Sequence, residues 1–294
     1  MQIADRFFVG DALRTLRRFP EECVDCVVTS PPYWSLRDYG VAGQLGLEAS
    51  VEEYLGKILA VFAEVRRVLK PSGTCFVNLG DTYGGSWRDC AVASARSKCL
   101  SQVPSRFAIG MTDGGWILRN EIIWWKPACL PQAVKDRFTV DFEKLFFFTK
   151  SPCYFFAQQF EPLVSSPCDI RRMRGGRRTY NGKWRRANMQ SSGARIQRAF
   201  TSSCKHGRNK RAVWRIPLQP FRGAHFATFP EALVETPILA GSPRGGIVLD
   251  PFLGSGTTAV VARKLGRRFV GIELNPAYVR LARGRVRQAE GRLR

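Results

Sequence analysis

The residues best suited to chemistry fall in two stretches. The first, Thr29-Ser30-Pro31-Pro32-Tyr33-Trp34, directly follows Val24-Asp25-Cys26-Val27-Val28. An apolar run of that length reads as a buried strand. Two prolines cannot continue it, because proline lacks an N–H and disfavours helix in the residue before it. The chain must leave the strand as a stiff, extended loop carrying a hydroxyl, free carbonyls and two aromatic rings. In open α/β sheets, ligands sit at strand ends of this kind. A rigid turn packed by core aromatics would use the same residues, so this loop alone does not decide.

The second stretch lies near the C-terminus. Gly254, Gly256 and Ala259 fit the loose G-x-G-x-x-G/A pattern between the strand Ile247-Val248-Leu249 and a helix running through Ala262 and Leu265. The next strand, Arg268-Phe269-Val270-Gly271-Ile272, ends in Glu273, seventeen residues after Gly256. Glycines let the backbone approach a ligand, and an acid at that strand end can accept ribose hydroxyls. Taken alone, the pattern fits NAD and S-adenosylmethionine equally. Asp250-Pro251-Phe252 ahead of the glycines favours the second, because a carboxylate there repels a diphosphate but suits a positively charged amino acid moiety. No hydride-transfer constellation is evident, and the chain has only two His. Asp250 has an alternative use of equal weight, which is to hold the loop through backbone N–H groups.

The elements that position these stretches follow an α/β rhythm. Arg6-Phe7-Phe8-Val9 reads as a strand closing on Gly10-Asp11, with a helix expected from Ala12 to Phe19 ahead of Pro20. Ser50 can cap a helix with Glu53 in the reciprocal position. Leu55, Ile58, Leu59, Phe62, Val65 and Leu69 recur at helical spacing, and Lys70-Pro71-Ser72-Gly73 stops the pattern. Thr74 to Leu79 reads as the next strand, ending at Gly80-Asp81. Strand, helix, strand at this spacing is the βαβ pattern of a parallel sheet. Residues 83–115 have no clean period and read as a flexible loop, with a helix near Val103 to Met111. Trp116 to Trp125 and Phe142 to Thr149 read as strands of an antiparallel excursion at this sheet edge, with Tyr154-Phe155-Phe156 close behind. Pro276 starts a last helix in which Tyr278, Leu281, Ala282 and Val286 face the sheet.

Charge points to the partner. The chain carries 46 Lys and Arg against 24 Asp and Glu, a net +22 over 294 residues. That makes a polyanion the expected partner, ahead of a membrane surface. Between Ser165 and Arg215 there are fifteen Lys or Arg and one acid, Asp169, with Tyr180, Trp184 and Phe200 interleaved. A segment this one-sided suits phosphate contact better than core building. The nine Cys are odd in number and scattered, which suits a reducing compartment rather than a disulfide scaffold. Cys23-x-x-Cys26 has no second pair at ligand spacing, so core thiols are expected and no metal. The first residues lack a signal-peptide pattern, and no apolar run is long enough to span a bilayer.

Together, Thr29-Ser30-Pro31-Pro32-Tyr33-Trp34 and Asp250-Pro251-Phe252-Leu253-Gly254-Ser255-Gly256-Thr257-Thr258 resemble the motifs of the amino-methyltransferases that modify DNA. The catalytic motif precedes the cofactor motif, which looks like the family's beta-type permutation, and the resemblance covers nearly the whole chain. Gly10-Asp11 resembles the family's adenine-contacting strand end, and Lys70-Pro71-Ser72-Gly73 its helix-to-strand turn. Lys135-Asp136-Arg137-Phe138 and Glu143 resemble the stretch after its sixth strand. His225-Phe226-Ala227-Thr228-Phe229-Pro230 resembles the segment leading back to the cofactor pocket. The basic region falls where the family carries its target recognition domain.

The resemblance implies a Rossmann-like S-adenosylmethionine-dependent methyltransferase fold. It would be a mostly parallel twisted sheet with an antiparallel edge strand, circularly permuted. Residues 1–160 would form the catalytic part, 161–218 the inserted target recognition region, and 219–294 the cofactor-binding part of the same domain. Ser30 ahead of the prolines is typical of the N4-cytosine members; the N6-adenine members, which remain the alternative, more often have Asp or Asn. The implied catalytic set is Ser30, Pro31, Pro32, Tyr33 and Trp34, with Trp34 either helping Tyr33 stack on a flipped base or packing the loop from below. The implied cofactor set is Asp11, Thr29, His225, Phe229, Asp250, Pro251, Phe252, Gly254, Ser255, Gly256, Thr257, Thr258, Glu273 and Asn275. Candidate contacts to double-stranded DNA are Arg171, Arg172, Arg174, Arg177, Arg178, Lys183, Arg185, Arg186, Arg195, Arg198, Lys205, Arg208, Lys210 and Arg211. The family leaves open a monomer or a homodimer, places the protein in a prokaryotic cytoplasm beside the nucleoid, and leaves room for a restriction endonuclease as a separate chain. Methylation of RNA or of protein glutamine, an NAD-dependent oxidoreductase and a non-catalytic nucleic-acid binder are the competing classes.

Overall fold

A computed structural model describes residues 2–84, 97–129, 132–162, 207–219 and 229–291. Two compact units are present, one formed by Met1–Ala157 with Ala212–Arg294 and the other by Gln158–Arg211.

The first unit is built on an eight-stranded sheet. Its strands are β1 (Arg6–Val9), β2 (Val24–Thr29), β3 (Leu69–Leu79), β4 (Ile117–Trp125), β5 (Phe142–Thr149), β8 (Val213–Arg215), β9 (Ile247–Asp250) and β10 (Arg268–Glu273), in the spatial order β1-β10-β9-β2-β3-β5-β4-β8. β1, β10, β9, β2 and β3 run parallel. β5 is antiparallel to both β3 and β4, and β8 returns parallel to β4. The antiparallel excursion is therefore present, but the one reversed strand lies inside the flank rather than at its edge. β9 and β10, which come last in the sequence, sit between β1 and β2. Helices cover both faces, as an all-buried parallel sheet requires. On one face α1 (Ala12–Leu16), α2 (Val51–Val68) and α3 (Val103–Asp113) share a core with Val27, Val77 and Phe148. On the other, α4 (Glu231–Gly241), α5 (Thr257–Lys264) and α6 (Pro276–Gly291) pack with Val28, Phe76 and Phe147.

Most elements lie where the periodicity puts them, and the differences have local causes. α1 ends at Leu16, not Phe19, because the Arg18 and Phe19 N–H groups turn back to the carbonyls of Thr15 and Leu16 in tighter i−3 bonds. Leu69 belongs to β3: it pairs with Val24, and the ladder resumes at Cys26 with Thr74, so Lys70 to Gly73 bulge out between them. The buried stripe of α6 is Val279, Ala282, Val286 and Ala289, leaving Tyr278 and Leu281 half-buried at its side. Tyr154 to Phe156 is not a strand; Tyr154 and Phe156 pack on Phe147 instead. α4 is not legible in the sequence, because Pro237 sits inside it and its residues are apolar nearly all round. Ser50 caps α2 as expected, its hydroxyl accepting the Glu53 N–H at 3.1 Å.

The described parts of the second unit are small. β6 (Phe160–Glu161) and β7 (Arg208–Asn209) pair antiparallel. Residues 163–206, and with them every candidate DNA contact from Arg171 to Lys205, lie outside the described residues, as do residues 85–96 of the expected loop. No described helix is long and apolar enough to cross a membrane.

Candidate active site

The parallel strands deliver two loops to one end of the sheet. The loop after β2 is braced from below. The Trp34 indole N–H donates to Glu48 O at 3.0 Å, the Tyr54 hydroxyl to Pro32 O at 2.8 Å, and the Ser35 N–H to Gly46 O at 2.8 Å. Trp34 is 2% exposed. Of the two uses expected for Trp34, its burial and its bond to Glu48 O support packing the loop from below. Pro31 is buried as well.

The loop after β9 is shaped by backbone and one buried carboxylate. Asp250 Oδ1 accepts from the Thr29 hydroxyl at 2.6 Å and the Phe252 N–H at 3.1 Å, and Oδ2 from the Thr258 hydroxyl at 2.7 Å. Burial pushes the Asp250 carboxyl up to about 6, against the pull of the two hydroxyls. Of its two uses, the geometry supports the loop-holding one. Gly256 sits at φ 85°, and a Cβ there would lie 2.6 Å from Ala282 Cβ and 3.0 Å from its Cα, so only glycine fits against α6. Arg285 holds the same turn from α6 through Ser255 O, Ser255 Oγ and Thr257 Oγ1.

Between the loops opens a pocket of about 890 Å³, its mouth included. From the expected sets it is lined by Asp11, Ser30, Pro32, Phe229, Pro251, Phe252, Gly254, Ser255, Thr257, Glu273 and Asn275. Thr29, Asp250, Gly256 and Thr258 are buried and do not line it. His225 lies outside the described residues. Glu273 Oε2 accepts the Gly254 N–H and Oε1 the Asn275 N–H, each at 2.8 Å. Burial raises its carboxyl above the usual value, with those N–H groups opposing. Each oxygen keeps acceptor capacity for a further donor. Asp11 spends Oδ1 on the Arg14 N–H, as the cap of α1.

The sequence reading missed a third wall. Tyr39, Val41, Gln44 and Leu45 line the pocket, as do Leu274 and Tyr278. The signal was available in the glycine-punctuated run Tyr39-Gly40-Val41-Ala42-Gly43-Gln44-Leu45-Gly46 directly after the Pro-Pro loop.

Beside the pocket, four strand ends bring polar groups together. The Tyr33 hydroxyl lies 2.7 Å from Glu143 Oε2 and 2.9 Å from Asn78 Oδ1. Ser30 Oγ lies 3.3 Å from the Tyr33 hydroxyl and 3.4 Å from Asn78 Oδ1. Lys126 forms an ion pair with Glu143 Oε1. Burial and the neighbouring carboxylate hold the Tyr33 phenol well above its usual range. Its ring lies so close over Gly80 that a Cβ there would be 2.6 Å from the ring edge.

In the second unit, Arg208 Nε and Arg211 Nε both bind Glu161 Oε1 at 2.7 Å, and the Lys210 N–H donates to Gln159 O. Arg208 and Arg211, two of the expected DNA contacts, thus also hold the paired strands β6 and β7. Cys26 is a buried free thiol that burial pushes up to about 12. Among the described residues, no group of three His, Cys, Asp or Glu could hold a metal ion.

A DNA methylase family model spanning N6- and N4-type enzymes matches residues 24–284, and the chain belongs to that family. The type II methyltransferase M.XycI of Xanthomonas campestris pv. cyanopsidis is 39% identical over 95% of this chain and 86% of its own length. M.SmaI of Serratia marcescens is 37% identical over 96% and 90%. Among solved structures, TTHA0409 of Thermus thermophilus, in complex with S-adenosyl-L-methionine, superposes with a TM-score of 0.62 at 27% identity, over 97% of this chain and 93% of that one. The cytosine-N4-specific PvuII DNA methyltransferase shares the fold, with a TM-score of 0.65 at 23% identity over 95% and 85%.

Proposed function

We propose that this DNA methyltransferase transfers a methyl group from S-adenosylmethionine to the exocyclic N4 amine of cytosine in duplex DNA. The observation that carries the reading is Ser30: a neutral hydroxyl lines the pocket at the head of the Pro-Pro loop, the position where the N4-cytosine members of the family typically place serine. N6-adenine is the second reading, since the same loop geometry also accepts a purine amine.

The residues fit the cofactor. Glu273 has acceptor capacity for a ribose diol, Phe252, Leu274 and Tyr278 offer apolar faces for adenine, and the Ser255–Thr257 turn opens α5, whose N-terminus favours a carboxylate. When bound, S-adenosylmethionine supplies an electrophilic methyl group. The chain does the rest by positioning and electrostatics. The basic region between Ser165 and Arg215 grips phosphates, and the target base leaves the stack because its amine cannot reach the pocket inside the duplex. Tyr33 stacks on the flipped ring. Ser30 Oγ and Pro31 O accept the two amine hydrogens, which turns the nitrogen lone pair towards the methyl carbon. The N–C bond forms as the C–S bond breaks, its electron pair stays on sulfur, and the surplus amine proton passes to solvent. A cognate endonuclease on a separate chain belongs to the same proposal.

Two experiments test this. Unmethylated genomic DNA is incubated with labelled S-adenosylmethionine, digested to nucleosides and separated. Label in N4-methyldeoxycytidine is expected, whereas label in N6-methyldeoxyadenosine replaces the reading with its alternative. Replacing Arg171, Arg172, Arg177 and Arg178 by Ala should weaken DNA binding and reduce the salt slope by about 0.9 for each phosphate that is no longer neutralised. An unchanged slope removes phosphate binding from the role of these residues.

A further inference from the structure

Ser30 can accept an amine hydrogen only if its own proton points elsewhere. A serine hydroxyl has one proton and two lone pairs. If the proton turns into the pocket, it opposes the amine donor it is meant to receive. Something behind Ser30 must take that proton, and the only groups within reach in the described residues are the Tyr33 hydroxyl at 3.3 Å and Asn78 Oδ1 at 3.4 Å.

Whether these two can accept depends on where the Tyr33 proton goes. That phenol has one proton and two candidate acceptors, Glu143 Oε2 at 2.7 Å and Asn78 Oδ1 at 2.9 Å. The carboxylate is the shorter contact, and charge-assisted bonds are roughly twice as strong as neutral ones. The phenol therefore donates to Glu143. Asn78 cannot turn its amide nitrogen towards the hydroxyls, because Nδ2 donates to Lys144 O at 3.2 Å. Lys126, paired with Glu143, supplies the charge that balances the half-buried carboxylate. With the phenol donating to Glu143, both the Tyr33 oxygen and Asn78 Oδ1 face Ser30 as acceptors.

We infer that Glu143 is a positioning residue for methyl transfer: through the Tyr33 hydroxyl it draws the Ser30 proton away from the pocket, so that Ser30 Oγ presents only lone pairs to the target amine. The inference rests on the amine-accepting role of Ser30 proposed above. It gives Tyr33 a second task besides stacking, and it explains why the loop carries tyrosine and not phenylalanine. The Ser30 contacts are long for hydroxyl bonds; they tighten when the amine hydrogen arrives, as catalytic hydrogen bonds commonly do on substrate binding.

The test is a double-mutant cycle of Glu143→Gln and Tyr33→Phe. It reads kcat and KM for methyl transfer to genomic DNA, and Kd for S-adenosylmethionine by titration. Each single variant should lower kcat by on the order of 10–100-fold, with Kd changed by less than about twofold and KM for DNA little changed. The double variant should be no slower than the worse single one, because Glu143 acts through the hydroxyl that Tyr33→Phe removes. Losses that multiply, or a single variant with wild-type kcat, overturn the inference. A purely structural role would move Kd and stability together with kcat. If Glu143→Gln no longer binds S-adenosylmethionine, Glu143→Asp takes its place in the cycle under the same rule. A wild-type protein that binds S-adenosylmethionine but labels no DNA amine overturns the proposed function and this inference with it, and that result is seen before any variant is made.

Discussion

The loops after β2 and β9 end neighbouring strands and are tied by Thr29 Oγ1 to Asp250 Oδ1 at 2.6 Å, yet they are held by different means. The β9 loop is fixed by close backbone packing and one buried carboxylate. Gly256 meets Ala282 at close range, and Asp250 gathers the Phe252 N–H and two threonine hydroxyls. The β2 loop is stiffened by its prolines and aimed by side chains from several other elements. Tyr54, Glu48 and Gly46 hold it from below, and Asn78 and Glu143 hold it from the side. A surface that cradles a cofactor can be made of backbone shape. A surface that aims hydrogen bonds at a reacting amine needs side chains from several strands, because each oxygen must be pointed as well as placed.

The contrast can be broken at its strongest point first. Gly256→Val forces a branched side chain into α6 at positive φ, and should cost about 3–5 kcal/mol in urea unfolding, with S-adenosylmethionine binding lost. A variant of near wild-type stability would mean that α6 gives way easily and the turn is not fixed by shape. Asp250 sharpens the same side through pH. Its carboxyl lies at about 6 in the folded protein against 3.8 ordinarily. The folded state therefore keeps a proton that the unfolded chain has released, so this group's contribution is fully present below pH 4 and is lost as pH rises through 6. The stability of wild type minus that of Asp250→Asn should fall by on the order of 3 kcal/mol across that window; a flat difference would show that Asp250 titrates normally.

On the β2 side the expected effects are smaller, because several anchors share the load. Trp34→Phe removes the bond to Glu48 O and some buried volume, and should cost about 2 kcal/mol, with kcat lowered more than cofactor affinity. Tyr54→Phe removes only the hydroxyl on Pro32 O and should cost about 1 kcal/mol. Calorimetric unfolding measures both. If either variant weakened S-adenosylmethionine binding as much as Gly256→Val does, the division between the two loops would fail.

The same contrast explains what was legible in the sequence. The β9 loop, Glu273 and α5 were readable, because glycine spacing and the acid at the next strand end are local signals. Ser30 and the Pro-Pro pair were readable as chemistry. The reach of Tyr33 across to Glu143, 110 residues away, was not, since nothing in either stretch names its partner. Trp34 stayed between two uses for a related reason: an aromatic beside a catalytic loop reads the same whether it faces a ligand or the core, and the bond to Glu48 O favours the core. α4 was lost to Pro237, whose missing N–H argues against helix, while packing of Leu233, Val234 and Ile238 overrides that local penalty.

The adjacency of β2 and β9 has one more consequence. Neighbouring strands are about 4.8 Å apart, so the gap between the two loops is gauged across the hydrogen-bond ladder, a stiffer direction than the sheet normal. The loops themselves can breathe along the sheet normal without changing that spacing. Warming should therefore loosen the grip on both ligands before it spoils the alignment between them. In kinetic terms, KM should climb over a range of temperature in which kcat still rises.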